Sequence, residues 1–241
     1  MTLNPLTPGD LARVMGQTWP SADCQRLGPW TIRQGAGGGK RVCATTADAP
    51  VTASDLPQAE AAMREFGQPA LFLIRVGDSA LDAMLAAHGY RVVDPVLAYA
   101  IATRGLADTA PPAMHTFPHW PPMAIATDLW AEAGIGPARI AVMQRAAGPK
   151  TAVLARAKDH AAGIAFVALS GTTAMLHALE VTPALRRHGA AKNILRASAI
   201  WALDHGADTL SLVVTAANQP ACRLYASLGM QVVGQYHYRE K

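Results

Sequence analysis

LHALEVTPALRRHGAAKNILRASAIWALDHGA, residues 176–207, holds the change of period from which the fold of this 241-residue chain is read. LHALEV alternates as a strand does, with successive side chains on opposite faces. Pro183 marks a tight turn, and a helix begins near Gly189 and runs to about His205. At the junction Arg186, Gly189 and Ala191 have the spacing R-x-x-G-x-A. Small residues there let backbone N–H groups converge at the positive end of the helix macrodipole. Arg186 or Arg187 adds a charge-assisted hydrogen bond to any anion held in that turn. The spacing alone fits an anion cradle and a solvated basic helix start equally well.

Outward from this stretch the pattern is regular. KTAVLARA, AGIAFVAL and AMLHALEV read as three strands, preceded by two short helices in LWAEAGIGPARIAVMQRA. TLSLVVT reads as a strand, Gln219 to about Leu228 as a helix, and QVVGQYHY as a last strand. Arg104 to Met123 is proline-rich and without period, which predicts a linker. Ahead of it come a helix over Asp55–Phe66, a strand over Ala70–Val76, a helix over Ser79–His88 and a strand from Tyr90. Gly67 and Gly89 lie 22 residues apart, Gly206 and Gly229 lie 23 apart, and the elements between them agree in order and type. An internal duplication is the expectation. It sets Asp78 opposite Asn218 and Leu85 opposite Tyr225, and leaves the first half short of about one strand and one loop.

The second half also carries NQPACRLYASLGM, residues 218–230, so that R-x-x-G-x-A is followed, 27 positions after Ala191, by N-x-x-A-x-x-L-Y-x-x-x-G. Together these resemble the GNAT superfamily of N-acetyltransferases. The usual pattern there is [RQ]-x-x-G-x-[GA] followed by N-x-x-A-x-x-x-Y-x-x-x-G-F, and the departure is Met230 for the aromatic, a change of packing more than of chemistry. The resemblance spans roughly Ala126 to Arg239. The first half resembles a degenerate second copy, so the whole chain is similar to tandem-GNAT proteins, and the terminal YHYR resembles the last strand of several of them. The resemblance implies an α+β fold of two tandem domains, each a mostly antiparallel mixed sheet flanked by helices. The divisions expected are residues 1–105 without a CoA motif, a proline-rich linker over 106–123, and an acetyl-CoA-binding domain over 124–241.

What the resemblance implies for chemistry is an N-acetyltransferase using acetyl-CoA as cosubstrate, with direct transfer to a small-molecule or peptide amine. The pyrophosphate would lie on Arg186, Arg187, His188, Gly189, Ala190, Ala191 and Lys192, and the pantetheine arm would pair with Leu179 to Val181. Main-chain N–H near Val181 would polarise the thioester carbonyl. Tyr225 is the expected general acid for the leaving thiolate, and Asn218 caps its helix or also touches the cofactor. Glu180 is the expected general base, with His177 or a water as rivals. Plain alternation puts His177 on the opposite face, where it also reads as a satisfied core histidine. Cys222 reads as packing, not as a nucleophile. The first half, with Leu85 where the second has Tyr225, is expected to bind no CoA but to help wall the acceptor pocket, with Trp30, Arg33 and Trp120 as candidates. A non-catalytic acyl-CoA sensor on the same fold is the alternative.

Composition narrows the remaining classes. No segment approaches the ~18 apolar residues that span a bilayer, so no membrane partner is expected. MTLNPLTPGDLARV lacks the basic start and apolar run of a signal peptide, which predicts a cytoplasmic location. Three cysteines without a C-x-x-C pair, and eight histidines without H-E-x-x-H, indicate neither a disulfide framework nor a metal. The net charge of +4 is scattered, which argues against nucleic acid. No oligomeric state is encoded. GAGGGKRV, residues 35–42, invites comparison with a triphosphate-binding loop, but Arg41 stands where a hydroxyl is required. It reads instead as a hairpin turn between strands in WTIRQ and RVCATTA, one mobile enough to close over an acceptor.

Overall fold

The computed structural model describes residues 6–241. The first element among the described residues is a helix that the sequence reading did not delimit, α1 (Pro8–Thr18). Its start is chemically explicit: the Thr7 hydroxyl accepts from Asp10 N–H at 3.1 Å while the Asp10 carboxylate accepts from Thr7 N–H at 3.2 Å. Then come β1 (Asp23–Leu27) and β2 (Trp30–Gln34), α2 (Lys40–Cys43), β3 (Thr46–Ala47), α3 (Leu56–Glu65), β4 (Leu71–Arg75), α4 (Ser79–Ala87) and β5 (Arg91–Ala102). α5 (Thr103–Ala107), β6 (Thr116–His119), α6 (Ala124–Glu132) and α7 (Pro137–Arg145) lead into β7 (Lys150–Ala157), β8 (His160–Ser170) and β9 (Thr173–Val181). The chain ends with α8 (Ala190–Asp204), β10 (Thr209–Thr215), α9 (Gln219–Ser227) and β11 (Gln231–Glu240).

Two local expectations are corrected. KRVC after the glycine run is helical, so Gly35–Val42 is a loop entering α2 rather than a hairpin turn. The glycines are there largely for close approach: a Cβ on Gly35 would sit 2.7 Å from Cys43 Cβ, and one on Gly38 would sit 2.5 Å from Val142 Cγ2. The loop is thereby pressed against α7 of the second half, which no hairpin reading foresees. The proline-rich segment is not a bare linker either. Thr116–His119 is the edge strand β6, paired antiparallel with β7, and an edge is where a strand tolerates a residue such as Pro118.

The halves do not each close a sheet of their own, so the expectation of two tandem domains, each with its own sheet, is corrected at the level of pairing. Eight strands form one sheet in the order β4-β11-β5-β10-β9-β8-β7-β6, and β1-β2-β3 form a small second one. β11, from the end of the chain, lies between β4 and β5, while β5 lies between β11 and β10. The order β4-β11-β5-β10 reads the same when β4 is exchanged with β10 and β5 with β11. Each half therefore lends its last strand to the other. Among the described strand pairs, only β9 and β10 run parallel. α8 and α9 cover one face of the second-half strands, and α1, α6 and α7 cover the other. α3 and α4 close a third core around Trp30, Phe72 and Leu85.

Candidate active site

The site begins where β9 and β10 part. They pair from Thr173 with Thr209 to Leu176 with Leu212. From Val213 onward β10 pairs only with β5, and beyond Leu176 β9 pairs only with β8. The edge of β9 from His177 to Val181 is left without a strand partner on the β10 side. Within this edge lies a β-bulge: Phe166 faces His177 and Ile164 faces Glu180, so two residues of β9 stand opposite one of β8. Ala178 takes a φ of 51°, and its carbonyl accepts from Trp130 Nε1 at 2.9 Å. Gly163 opposite has no room for a side chain, since a Cβ would lie 2.7 Å from the Glu180 carbonyl oxygen.

The bulge changes the facing of the side chains. Residues directly opposite in an antiparallel pair share a face, and Phe166 and Ile164 share theirs. His177 and Glu180 are therefore on the same face, not on the opposite faces that uninterrupted alternation predicts. Leu179 and Val181 turn the other way and pack toward α8.

The splay opens into a cleft of ≈ 480 Å³, and Glu180, Tyr225, Leu179 and Asn218 all line it. Tyr225 is only 6 % exposed, and burial first, then the neighbouring Cys222 and Glu180, push its phenol well above the ordinary value. It holds its proton throughout the neutral range. Glu180 is half-buried, and desolvation raises its pKa while Arg186 and Arg139 pull in the opposite sense. A carboxylate so raised is better matched to taking a proton near neutrality. Cys222, on α9, is buried in the core. Asn218 is the cap of α9, its Oδ1 accepting from Ala221 N–H at 3.2 Å.

His177 is 3 % exposed, and both ring nitrogens are engaged. Arg41 Nη1 lies 2.9 Å from Nδ1, and the Thr18 hydroxyl lies 2.9 Å from Nε2. A guanidinium only donates, so Nδ1 must accept. The Thr18 hydroxyl gives its hydrogen to the Val14 carbonyl at 2.7 Å, so Nε2 carries the proton and donates to Thr18. Burial and the adjacent Arg41 hold the imidazole pKa well below its usual value. His177 therefore has no free lone pair with which to take a proton in this arrangement.

The R-x-x-G-x-A segment lies at the end of β9. Arg186 Nε donates to the Val181 carbonyl at 3.1 Å, tying the turn to the strand. Arg187 and Gly189 take φ values of 67° and 85°, after which α8 starts at Ala190. Gly189 offers no side-chain cap, so the first-turn N–H groups of Ala190, Ala191 and Lys192 are uncapped. Arg187, His188 and Lys192 are exposed around them. No group of three or more His, Cys, Asp or Glu side chains able to hold a metal occurs among the described residues. Among the same residues, no helix is long and apolar enough to cross a membrane.

The first half does reach this cleft, but through other residues than those expected. Trp30 is buried in the third core with Nε1 bonded to the Asp55 carbonyl, and Trp120 packs on Phe166. Arg33 bonds the Ala44 carbonyl and lines a separate cavity of ≈ 290 Å³. Trp19, Gly39, Lys40 and Arg41 line the cleft instead, joined by Tyr236 and Tyr238 of β11. The only signal for Arg41 was its place in GAGGGKRV, and Trp19 and Thr18 gave none.

Residues 122–230 match the family model described as the acetyltransferase (GNAT) family. Over 96 % of this chain and 97 % of the other, the sequence is 25 % identical to an uncharacterized N-acetyltransferase, YobR, of Bacillus subtilis (strain 168). Among solved structures, a GCN5-related N-acetyltransferase from Kribbella flavida superposes with a TM-score of 0.73 at 17 % identity, covering 99 % of this chain and 96 % of that one. A tandem GNAT protein from the clavulanic acid biosynthesis pathway gives a TM-score of 0.60 at 17 % identity, over 82 % of this chain and 74 % of that one. Over residues 122–230 the chain is thus similar to the acetyltransferase (GNAT) family, and over nearly its whole length it shares the fold of a GCN5-related N-acetyltransferase.

Proposed function

We propose that the protein transfers the acetyl group of acetyl-CoA directly to the amine of a small molecule or peptide. The observation that carries this reading is the convergence of a half-buried carboxylate, Glu180, and a buried phenol, Tyr225, on one cleft at the β9/β10 splay. Acetyl-CoA, when bound, supplies an activated acetyl thioester. The residues present fit it: the uncapped first turn of α8 suits its phosphates, and the unpaired β9 edge from His177 to Val181 suits its amide arm. Arg187, His188 and Lys192 surround that turn with positive or polar groups. Glu180 takes a proton from the acceptor ammonium so that the amine can attack, and Tyr225 gives a proton to the departing sulfur. The edge N–H groups of β9 near Val181 stabilise the developing oxyanion.

The first half is, in this proposal, a degenerate copy of the same unit that no longer binds CoA. The self-symmetric strand order supports it, as does the matching position of Leu85, fully buried in apolar surroundings where the other half has Tyr225. Its retained role is to wall the acceptor side of the cleft through Trp19 and Arg41. Thiol release from acetyl-CoA in the presence of an amine panel tests the proposal. Tyr225→Phe is expected to lower kcat by about 10²-fold with little change in the KM for acetyl-CoA. Equal, negligible release by wild type and variant across the panel would instead point to an acyl-CoA sensor.

A further inference from the structure

Arg41 is a guanidinium that lines the cleft and, among the described residues, pairs with no carboxylate of the protein. It is half-buried, lies 5.0 Å over the Trp19 ring and donates to the neutral His177, and among the described residues it has no ion-pair partner. Its neighbour Lys40 is different: that ammonium is 2.8 Å from Asp94 and 3.7 Å from Glu240. The remaining N–H donors of Arg41 bond no group of the protein among the described residues. A partly desolvated charge left without a counter-charge is unfavourable, and an arriving carboxylate relieves it by a bidentate pair. Every support around Arg41 fixes it as a cation. Trp19 presents a ring face, and His177 presents only a lone pair.

Position adds the chemistry. His177, to which Arg41 is bonded, and Glu180 share one face of β9, about 10 Å apart or less along the strand, and Arg41 and Glu180 line the same cleft. We infer that the acceptor is an amine that also carries a carboxylate, such as an amino acid or a short peptide, with its amine at Glu180 and its carboxylate on Arg41. The inference rests on the acetyltransferase reading for the direction in which the amine faces. A polycationic acceptor is disfavoured, because Lys40, Arg41 and Arg139 outnumber Asp94 and Glu180 in the lining of the cleft.

Calorimetric titration of the CoA-saturated protein tests this without requiring turnover. The probes are glycine, leucine, glutamate, 6-aminohexanoate and leucyl-leucine, each against its amide and against the decarboxylated amine. At least one carboxylate form is expected to bind 10-fold or more tightly than its amide, and Arg41→Gln is expected to remove that difference. Arg41→Lys, which keeps the charge, retains part of it and guards against a folding defect. Single amino acids binding more tightly than the dipeptide assign a free amino acid, and the reverse assigns a peptide. The inference is overturned if no carboxylate form is preferred, or if the preference survives in Arg41→Gln. If the preference is present but no acetyl transfer is found, the carboxylate clamp stands and the acetyltransferase reading fails.

Discussion

Arg41 Nη1 donates to His177 Nδ1 at 2.9 Å across 136 residues of sequence, and this one hydrogen bond both orients the guanidinium and forbids a proton on that nitrogen. A histidine kept neutral in the fold has a pKa below its unfolded value of about 6.5. Its contribution to stability is complete above that value and is lost as pH falls toward the depressed folded pKa, because the unfolded chain then binds a proton that the fold excludes. The wild-type stability below pH ~6.5 is therefore expected to carry an extra slope of about 1.4 kcal/mol per pH unit that His177→Gln lacks. Urea titrations of both proteins between pH 5 and 8 measure the difference in slope. Parallel curves would remove the neutral imidazole from the account.

Glu180 has its pKa raised by burial, and as the proposed base it must be ionised to act. The acid limb of kcat/KM should accordingly fall at a pH above the ordinary carboxylate range. Glu180→Gln is expected to cost about 10²–10⁴-fold in kcat/KM and to flatten that limb. A pH–rate profile of both proteins on one good acceptor decides the point. An acid limb that persists unchanged in the variant would assign the base to another group.

Gly189 has nothing within 4 Å of where a Cβ would stand, yet its φ is 85°. Conformation, not space, demands glycine at this position. Gly189→Ala should lose about 1 kcal/mol of stability and displace the first-turn N–H groups. Gly189→Glu adds a carboxylate beside the same groups. In a thermal-shift titration, CoA at 100 times its Kd stabilises a protein by about 2.7 kcal/mol, and this shift should vanish in Gly189→Glu. A wild-type response to ATP but not to CoA would exclude acetyl-CoA as the ligand.

The exchange of β5 and β11 makes the halves mechanically inseparable. Calorimetry should show one cooperative transition for residues 6–241 rather than two. Truncation after Gly229 removes β11 from between β4 and β5, and is expected to unfold the first half as well as the second. A stable folded fragment from such a truncation would contradict the pairing.

The legible parts of this protein were those in which the local chain carries its own instructions. Thr209–Thr215 is a strand as read, and α8 and α9 begin and end within a residue or two of the expected places. A glycine in the left-handed region before α8 and an asparagine cap before α9 encode those starts within a few residues. α2 was not legible, because RVCATTA reads as a strand and KRVC becomes helical only where Gly35 and Gly38 let it pack closely. α1 was written in a capping box, T-x-x-D, that the reading passed over.

By itself, the sequence determined the element order of the second half, the glycine turn that opens α8 and the capped helix α9 that carries Tyr225, because caps, glycine conformation and hydrophobic period act over a few residues. Tertiary structure alone decided which face Glu180 occupies, because the bulge at Ala178 depends on Trp130 and on the absence of a side chain at Gly163. It also decided the exchange of strands between halves and the union of Thr18, Arg41 and His177. Those pairings join residues more than 100 positions apart, and only the closed sheet and its packed helices bring them within reach.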